Sequence, residues 1–76
     1  LFKFLETNKI PLSLYYNLAS EDQELTEEII AGTKYQIYKD DNGEVKQALI
    51  PVSDELQIHI YRDEKGKFQL EFILIL

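Results

Sequence analysis

Leu56-Gln57-Ile58-His59-Ile60-Tyr61-Arg62, then Asp63-Glu64-Lys65-Gly66, then Lys67-Phe68-Gln69-Leu70-Glu71-Phe72-Ile73-Leu74: these nineteen positions decide the fold. Each flank alternates apolar with polar residues at period two, the mark of a strand with one buried face. If Glu64-Lys65-Gly66 is a three-residue loop, Gly66 takes the left-handed position of a G1 bulge. Asp63 then faces Lys67, Ile60 faces Leu70, Ile58 faces Phe72 and Leu56 faces Leu74, and one face is wholly apolar. The other face pairs Tyr61 with Gln69, His59 with Glu71 and Gln57 with Ile73. A slip of one residue would scramble both faces, so the pattern selects its own register.

The same grammar recurs upstream. Asp40-Asp41-Asn42-Gly43 lies between β-prone runs at Lys34–Lys39 and Glu44–Ile50. Here two registers stay open. A two-residue type I′ turn at Asn42-Gly43 sets Lys39 opposite Lys46. A three-residue loop of Asp41-Asn42-Gly43 sets Lys39 beside Val45, Ile37 beside Gln47 and Tyr35 beside Leu49. Pro51 lacks a ladder donor and should end the second strand before Ser53-Asp54 turns into the third.

The first thirty residues read differently. Leu1, Phe2, Phe4 and Leu5 recur at helical spacing and predict a short helix running out near Thr7-Asn8. Ile10-Pro11 forces a sharp turn. A second helix should start near Leu12-Ser13, burying Leu14, Leu18 and one of Tyr15 or Tyr16. Ser20 to Gln23 reads as a capping box, and Thr26 as a second cap opening a turn that ends near Ile29-Ile30. Ala31-Gly32 makes a corner before the first strand. The expectation is one α+β domain spanning 1–76, with a helical part over 1–31 and two hairpins over 32–76. Two or three short helices pack on an antiparallel sheet of about four strands.

Composition narrows the function. Fourteen acidic against eight basic side chains give a net charge of −6, which disfavours nucleic acid or an anionic membrane as partner. There is no cysteine, so neither a disulfide nor a thiolate–zinc cage supports the fold. No signal peptide or membrane-inserting segment is visible. The chain opens on Leu1-Phe2-Lys3-Phe4-Leu5 without a methionine and closes on Phe72-Ile73-Leu74-Ile75-Leu76, which points to a piece of a longer protein.

No catalytic, cofactor or metal set emerges. His59 is the single histidine, and with no Cys or second His it reads as a cross-strand partner of Glu71. Ser13, Ser20 and Ser53 sit in cap or turn contexts without a nucleophile elbow. The carboxylate pairs Asp40/Asp41, Asp54/Glu55 and Asp63/Glu64 fall in exposed turns. Glu21, Asp22, Glu24, Glu27 and Glu28 form a solvated helical face without the calcium-loop pattern. What remains is a partner surface. Its candidates are Tyr15, Tyr16, Tyr35 and Tyr38, which could stack on a glycan or peptide, with Phe72 and Leu74 on a terminal edge strand able to recruit another strand.

The order of elements resembles the OapA/LysM-like domain that precedes the catalytic domain in lysostaphin-type (LytM) zinc endopeptidases of bacterial envelopes. The resemblance runs from Leu1 through Ile10-Pro11-Leu12-Ser13, Tyr15 and Tyr16 to the Ile30-Ala31-Gly32-Thr33 corner. It continues in Tyr35-Gln36-Ile37-Tyr38, the Asp40–Gly43 turn, the Leu56–Arg62 strand and the Asp63–Gly66 turn. The family's Gly-Asp-Thr-like turn before the first leucine is absent, and Ala31-Gly32 stands where members have Pro-Gly. The resemblance implies a periplasmic or cell-envelope setting and a parent enzyme that cuts peptidoglycan cross-links. The domain would pack on the parent's catalytic domain, covering its groove, or help place it on the wall. The zinc residues of such parents, His-x-x-x-Asp and His-x-His, have no counterpart in residues 1–76. A second reading is a structural interaction module that self-associates through its last strand.

Overall fold

The computed structural model describes residues 1–27 and 34–75. Three short helices, α1 (Phe2–Thr7), α2 (Ser13–Tyr16) and α3 (Ser20–Glu27), come first. Four strands follow: β1 (Gln36–Lys39), β2 (Val45–Pro51), β3 (Leu56–Arg62) and β4 (Phe68–Leu74). The strands lie in sequence order and every neighbour is antiparallel, so the sheet is a meander. This is the α+β arrangement expected from the sequence. The Ile30–Thr33 corner and the helical turn expected near Ile29-Ile30 lie outside the described residues.

The β3–β4 hairpin has the register its alternation demands: Leu56 pairs with Leu74, Ile58 with Phe72, Ile60 with Leu70, His59 with Glu71. The β1–β2 hairpin combines pieces of an expectation that a single register could not satisfy. Its loop is the three-residue form, with Lys39 opposite Val45, but the register then shifts and Tyr38 pairs with Gln47, Ile37 with Ala48 and Gln36 with Leu49. Lys46 is the extra residue of a β-bulge. The physical reason is burial. Without the bulge, alternation from Ala48 would put Lys46 on the core face. With it, Val45 takes the core position at 4% exposure and Lys46 stays in water. Pro51 ends β2 as expected, paired with Gln57. Since β1 begins opposite Leu49, no ladder bond from that side is asked of Pro51.

Both Asp-x-x-Gly loops close in the same way. The N–H of Asp40 donates to Glu44 O and that of Gly43 to Asp40 O; Asp63 and Gly66 repeat this with Lys67 O and Asp63 O. Gly43 and Gly66 have φ of 81° and 76°, where side chains other than hydrogen are disfavoured. The aspartates brace the loops. Asp40 Oδ1 accepts from the backbone N–H of Asn42 and Glu44, and Asp63 Oδ1 from those of Lys65 and Lys67, all at 2.9–3.0 Å.

The inner face of the sheet contributes Ala48, Ile50, Ile58 and Ile60 to the core, and the helical part seals it with Leu5 and Ile10. Leu14 and Tyr15 of α2 pack at its margin. The link from α1 to this core is a Schellman turn. Ile10 N–H donates to Leu5 O at 2.9 Å and Lys9 N–H to Glu6 O at 3.3 Å, while the two apolar ends of the motif, Leu5 and Ile10, are both buried. The left-handed position of this motif is usually glycine, yet here it is Lys9, at φ 59°.

The expected capping box at Ser20 is not formed. Ala19 holds the cap position, its carbonyl receiving Gln23 N–H at 2.9 Å. The Gln23 side chain reaches back instead to the carbonyls of Tyr15 and Leu18, adding to the Leu18 N–H that Tyr15 O already receives beyond α2. Thr26 is no second cap either: it is buried inside α3 and its hydroxyl donates to Gln23 O at 2.6 Å.

Two substitutions test this account by urea unfolding. Ile58→Ala removes a fully buried side chain and should lose about 2–5 kcal/mol, out of roughly 4–11 kcal/mol expected for a chain of this size. Gly66→Ala meets no atom within 4 Å, so its loss should be the backbone term alone, about 1 kcal/mol. A Gly66→Ala chain as stable as the original would refute the G1-bulge reading.

Candidate partner-binding surface

The six sequence-derived candidates do not form one surface. Helix α2 is so short that Tyr15 and Tyr16 project in different directions. Tyr15 turns inward against the core and Tyr16 outward at 62% exposure. Phe2 of α1 joins them. Its ring lies edge-on to Tyr15 at 6.2 Å and to Tyr16 at 6.0 Å, and the two tyrosines lie 5.5 Å apart. Tyr35 stands edge-on to Phe4 at 4.9 Å. Phe72 is on the inner sheet face opposite Ile58, packed against the core. Its place in the sheet, not its aromatic character, decides that role.

Among the described residues Leu74 is the most exposed large apolar side chain, at 69%, with Ile75 beside it after the end of edge strand β4. Helix α2 packs against β4. Among the described residues, Phe2, Tyr16, Leu74 and Ile75 therefore remain as uncovered apolar groups of the helix–β4 side. Phe2 was not singled out from sequence because its period assigned it to the helix core; the aromatic neighbours that reveal its role lie thirteen residues on.

Tyr38 belongs to the opposite side. It sits on the outer sheet face, its hydroxyl donating to Gln36 Oε1 at 3.2 Å. That face carries Gln36, Gln47, Gln57 and Gln69, four of the chain's five glutamines. At its centre His59 bridges Glu71 Oε1 (2.9 Å, Nδ1) and Gln47 Oε1 (3.1 Å, Nε2), and its ring stacks on Tyr61 at 4.9 Å. The cross-strand pairing of His59 with Glu71 is thus realised, with Gln47 as an added partner. Among the described residues, no group of three His, Cys, Asp or Glu side chains is placed to hold a metal ion.

Charge ties the two halves of the sheet together. Arg62 Nη2 donates to Asp40 Oδ2 at 2.7 Å, its Nη1 lies 3.8 Å from Glu44, and its guanidinium covers the Phe68 ring at 5.8 Å. One residue of β3 so anchors the β1–β2 loop and the start of β4. The Arg62 hydrogen bond, with backbone donors from Glu44 and Asn42, holds the Asp40 carboxyl below the usual aspartate range. Asp63 is held low in turn by the N–H of Lys67 and the Gln69 amide.

Residues 1–75 match the Csd3 N-terminal family. The chain belongs to that family. Its fold is similar to that of Helicobacter pylori Csd3 in a hexagonal crystal, with a TM-score of 0.93 and 49% identity over 100% of this chain. The same protein in an orthorhombic crystal gives a TM-score of 0.88 and 49% identity over 96% of this chain. The chain spans only about a fifth of the length of those structures, 21% and 20%. Among curated proteins, none matches the chain. The family assignment is consistent with a protein of the bacterial cell envelope.

The aspartate bracing predicts a pH signature. A carboxyl whose pKa is lowered by folding adds stability that is fully present above its unfolded value of about 3.9 and is lost as pH falls through the lower folded value. Asp40→Asn should therefore be less stable than the parent at pH 7, with the difference shrinking only below about pH 4. Urea midpoints at pH 7, 4 and 3 would check this; a difference independent of pH would mean that the Asp40 charge is not what matters.

Proposed function

We propose that this chain is a non-catalytic accessory domain of a bacterial cell-wall metallo-endopeptidase of the lysostaphin (LytM) type. It docks on the catalytic part of the same protein and regulates access to the catalytic groove. The observation that carries this reading is the uncovered apolar side formed by Phe2, Tyr16, Leu74 and Ile75, in a chain about a fifth as long as its structural relatives. Exposed aromatics rimmed by polar residues mark interaction sites, and aromatic anchors dominate the energy of such contacts. The sequence resemblance to domains that precede LytM catalytic domains supplies the partner. It also supports a periplasmic or cell-envelope setting for the pair.

Targeting to the wall is the second reading, and the outer sheet face favours it. That face is rich in amide and phenol groups and carries a stacked His59–Tyr61 pair, chemistry suited to an uncharged glycan. Two measurements separate the readings. With the catalytic part supplied as a separate chain, binding should weaken at least about tenfold in Tyr16→Ser/Leu74→Asp, or about 1.4 kcal/mol, and peptidoglycan hydrolysis should rise as this domain is lost. Unchanged binding in that variant would sink the docking surface. Co-sedimentation with purified sacculi that survives high salt, and fails in Tyr38→Ala/Tyr61→Ala, would replace regulation by targeting.

A further inference from the structure

A cleft of about 560 Å³ opens where the end of α1 meets the β1–β2 loop, well within the size range of ligand sites. Thr7, Asn8 and Lys9 form one wall, Lys39, Asn42, Gly43 and Glu44 the other, and Val45 and Phe68 contribute apolar surface. Two features of this cleft are not explained by the fold. First, it collects two cations in a chain of net charge −6. Neither Lys9 nor Lys39 forms an ion pair among the described residues. The acid that shares the cleft, Glu44, lies instead within 3.8 Å of Arg62.

Second, Lys9 occupies the left-handed position of the Schellman turn, at φ 59°. A side chain there is disfavoured relative to ordinary helical geometry, and glycine is the usual occupant. Attraction of a cation to the carbonyl end of α1 does not explain the choice. A lysine within the last helical turn would gain that attraction without left-handed strain, and that turn holds no base. Backbone strain that persists where a cheaper residue would serve points to what the side chain does.

We propose that this cleft binds a terminal carboxylate of a peptide, with Lys9 and Lys39 holding the anion. A small aliphatic group next to that carboxylate would rest on the half-buried Phe68. Asn42 and Thr7, which also line the cleft, would meet the peptide's polar backbone. Lysine suits this task because its ammonium is a compact charge on a flexible stem, able to converge with a second lysine on one carboxylate. The cleft is separate from the apolar docking side and from the outer sheet face, so it does not rest on either reading above.

The test is an amide chemical-shift titration of the 76-residue chain with N-acetyl-alanyl-alanine, its C-terminal amide, and inorganic phosphate. The free-acid peptide should shift the amides of Lys9, Asn42 and Gly43, and the amidated peptide should bind at least about tenfold more weakly, since it lacks the charge. Lys39→Gln should weaken binding by a similar factor. Lys9→Gly gives the sharper readout: the chain should become more stable to urea while losing affinity for the peptide. A merely structural lysine could not produce that opposite pair of effects. Equal binding of the amidated peptide, equal affinity for phosphate, or full affinity in Lys9→Gly would each overturn the proposal.

Discussion

Burial of Leu5 and Ile10 against Ala48, Ile50, Ile58 and Ile60 is the contact on which the rest of the molecule depends. Neither partner is stable without the other. Helices of six and four residues are far below the length at which an isolated helix persists in water. A sheet with one apolar face must likewise cover it. Each large aliphatic side chain taken from water contributes about 1.5–3 kcal/mol, and the Schellman turn brings two of them to the sheet within a span of six residues. The strain of Lys9 is therefore located at the joint that fastens the helical part to the strands.

The same core explains where the polar groups go. Val45 needs a buried position, and the bulge at Lys46 gives it one while leaving the lysine in water. Arg62, at the far end of β3, then reaches the loop that the bulge has positioned and pairs with Asp40. A half-buried, hydrogen-bonded arginine of this kind acts more as a geometric brace than as a large source of stability. Its value lies in holding two hairpins at a common edge, beside the cleft that the loop helps to form.

The two sides of the sheet have divergent chemistry. The helix-covered side ends in uncovered apolar groups at Phe2, Tyr16, Leu74 and Ile75. The outer side is dominated by glutamine, tyrosine and the His59–Glu71 bridge. A domain with two unlike faces can meet two unlike partners, one protein and one polar. That division also explains why tyrosines that look alike in sequence behave differently: Tyr15 packs inward, Tyr16 projects outward, and Tyr38 lies across the sheet from both.

The β3–β4 hairpin was fully legible in the amino-acid sequence, because strict alternation and an Asp-x-x-Gly loop admit one register that keeps its apolar residues together. The helix boundary at Thr7-Asn8 and the end of β2 at Pro51 were legible for similarly local reasons of period and backbone chemistry. Other features depended on segments distant in the chain. The bulge at Lys46 follows from the need to bury Val45, and the choice of Tyr15 over Tyr16 from contact with the core. The Gln23 side chain left its expected cap to bond carbonyls in and just beyond α2. The Arg62–Asp40 bridge, the Phe2–Tyr15–Tyr16 cluster and the Lys9–Lys39 cleft arise only when separate elements meet. Periodicity and turn chemistry are properties of contiguous residues, whereas burial and charge pairing belong to the neighbours that folding supplies.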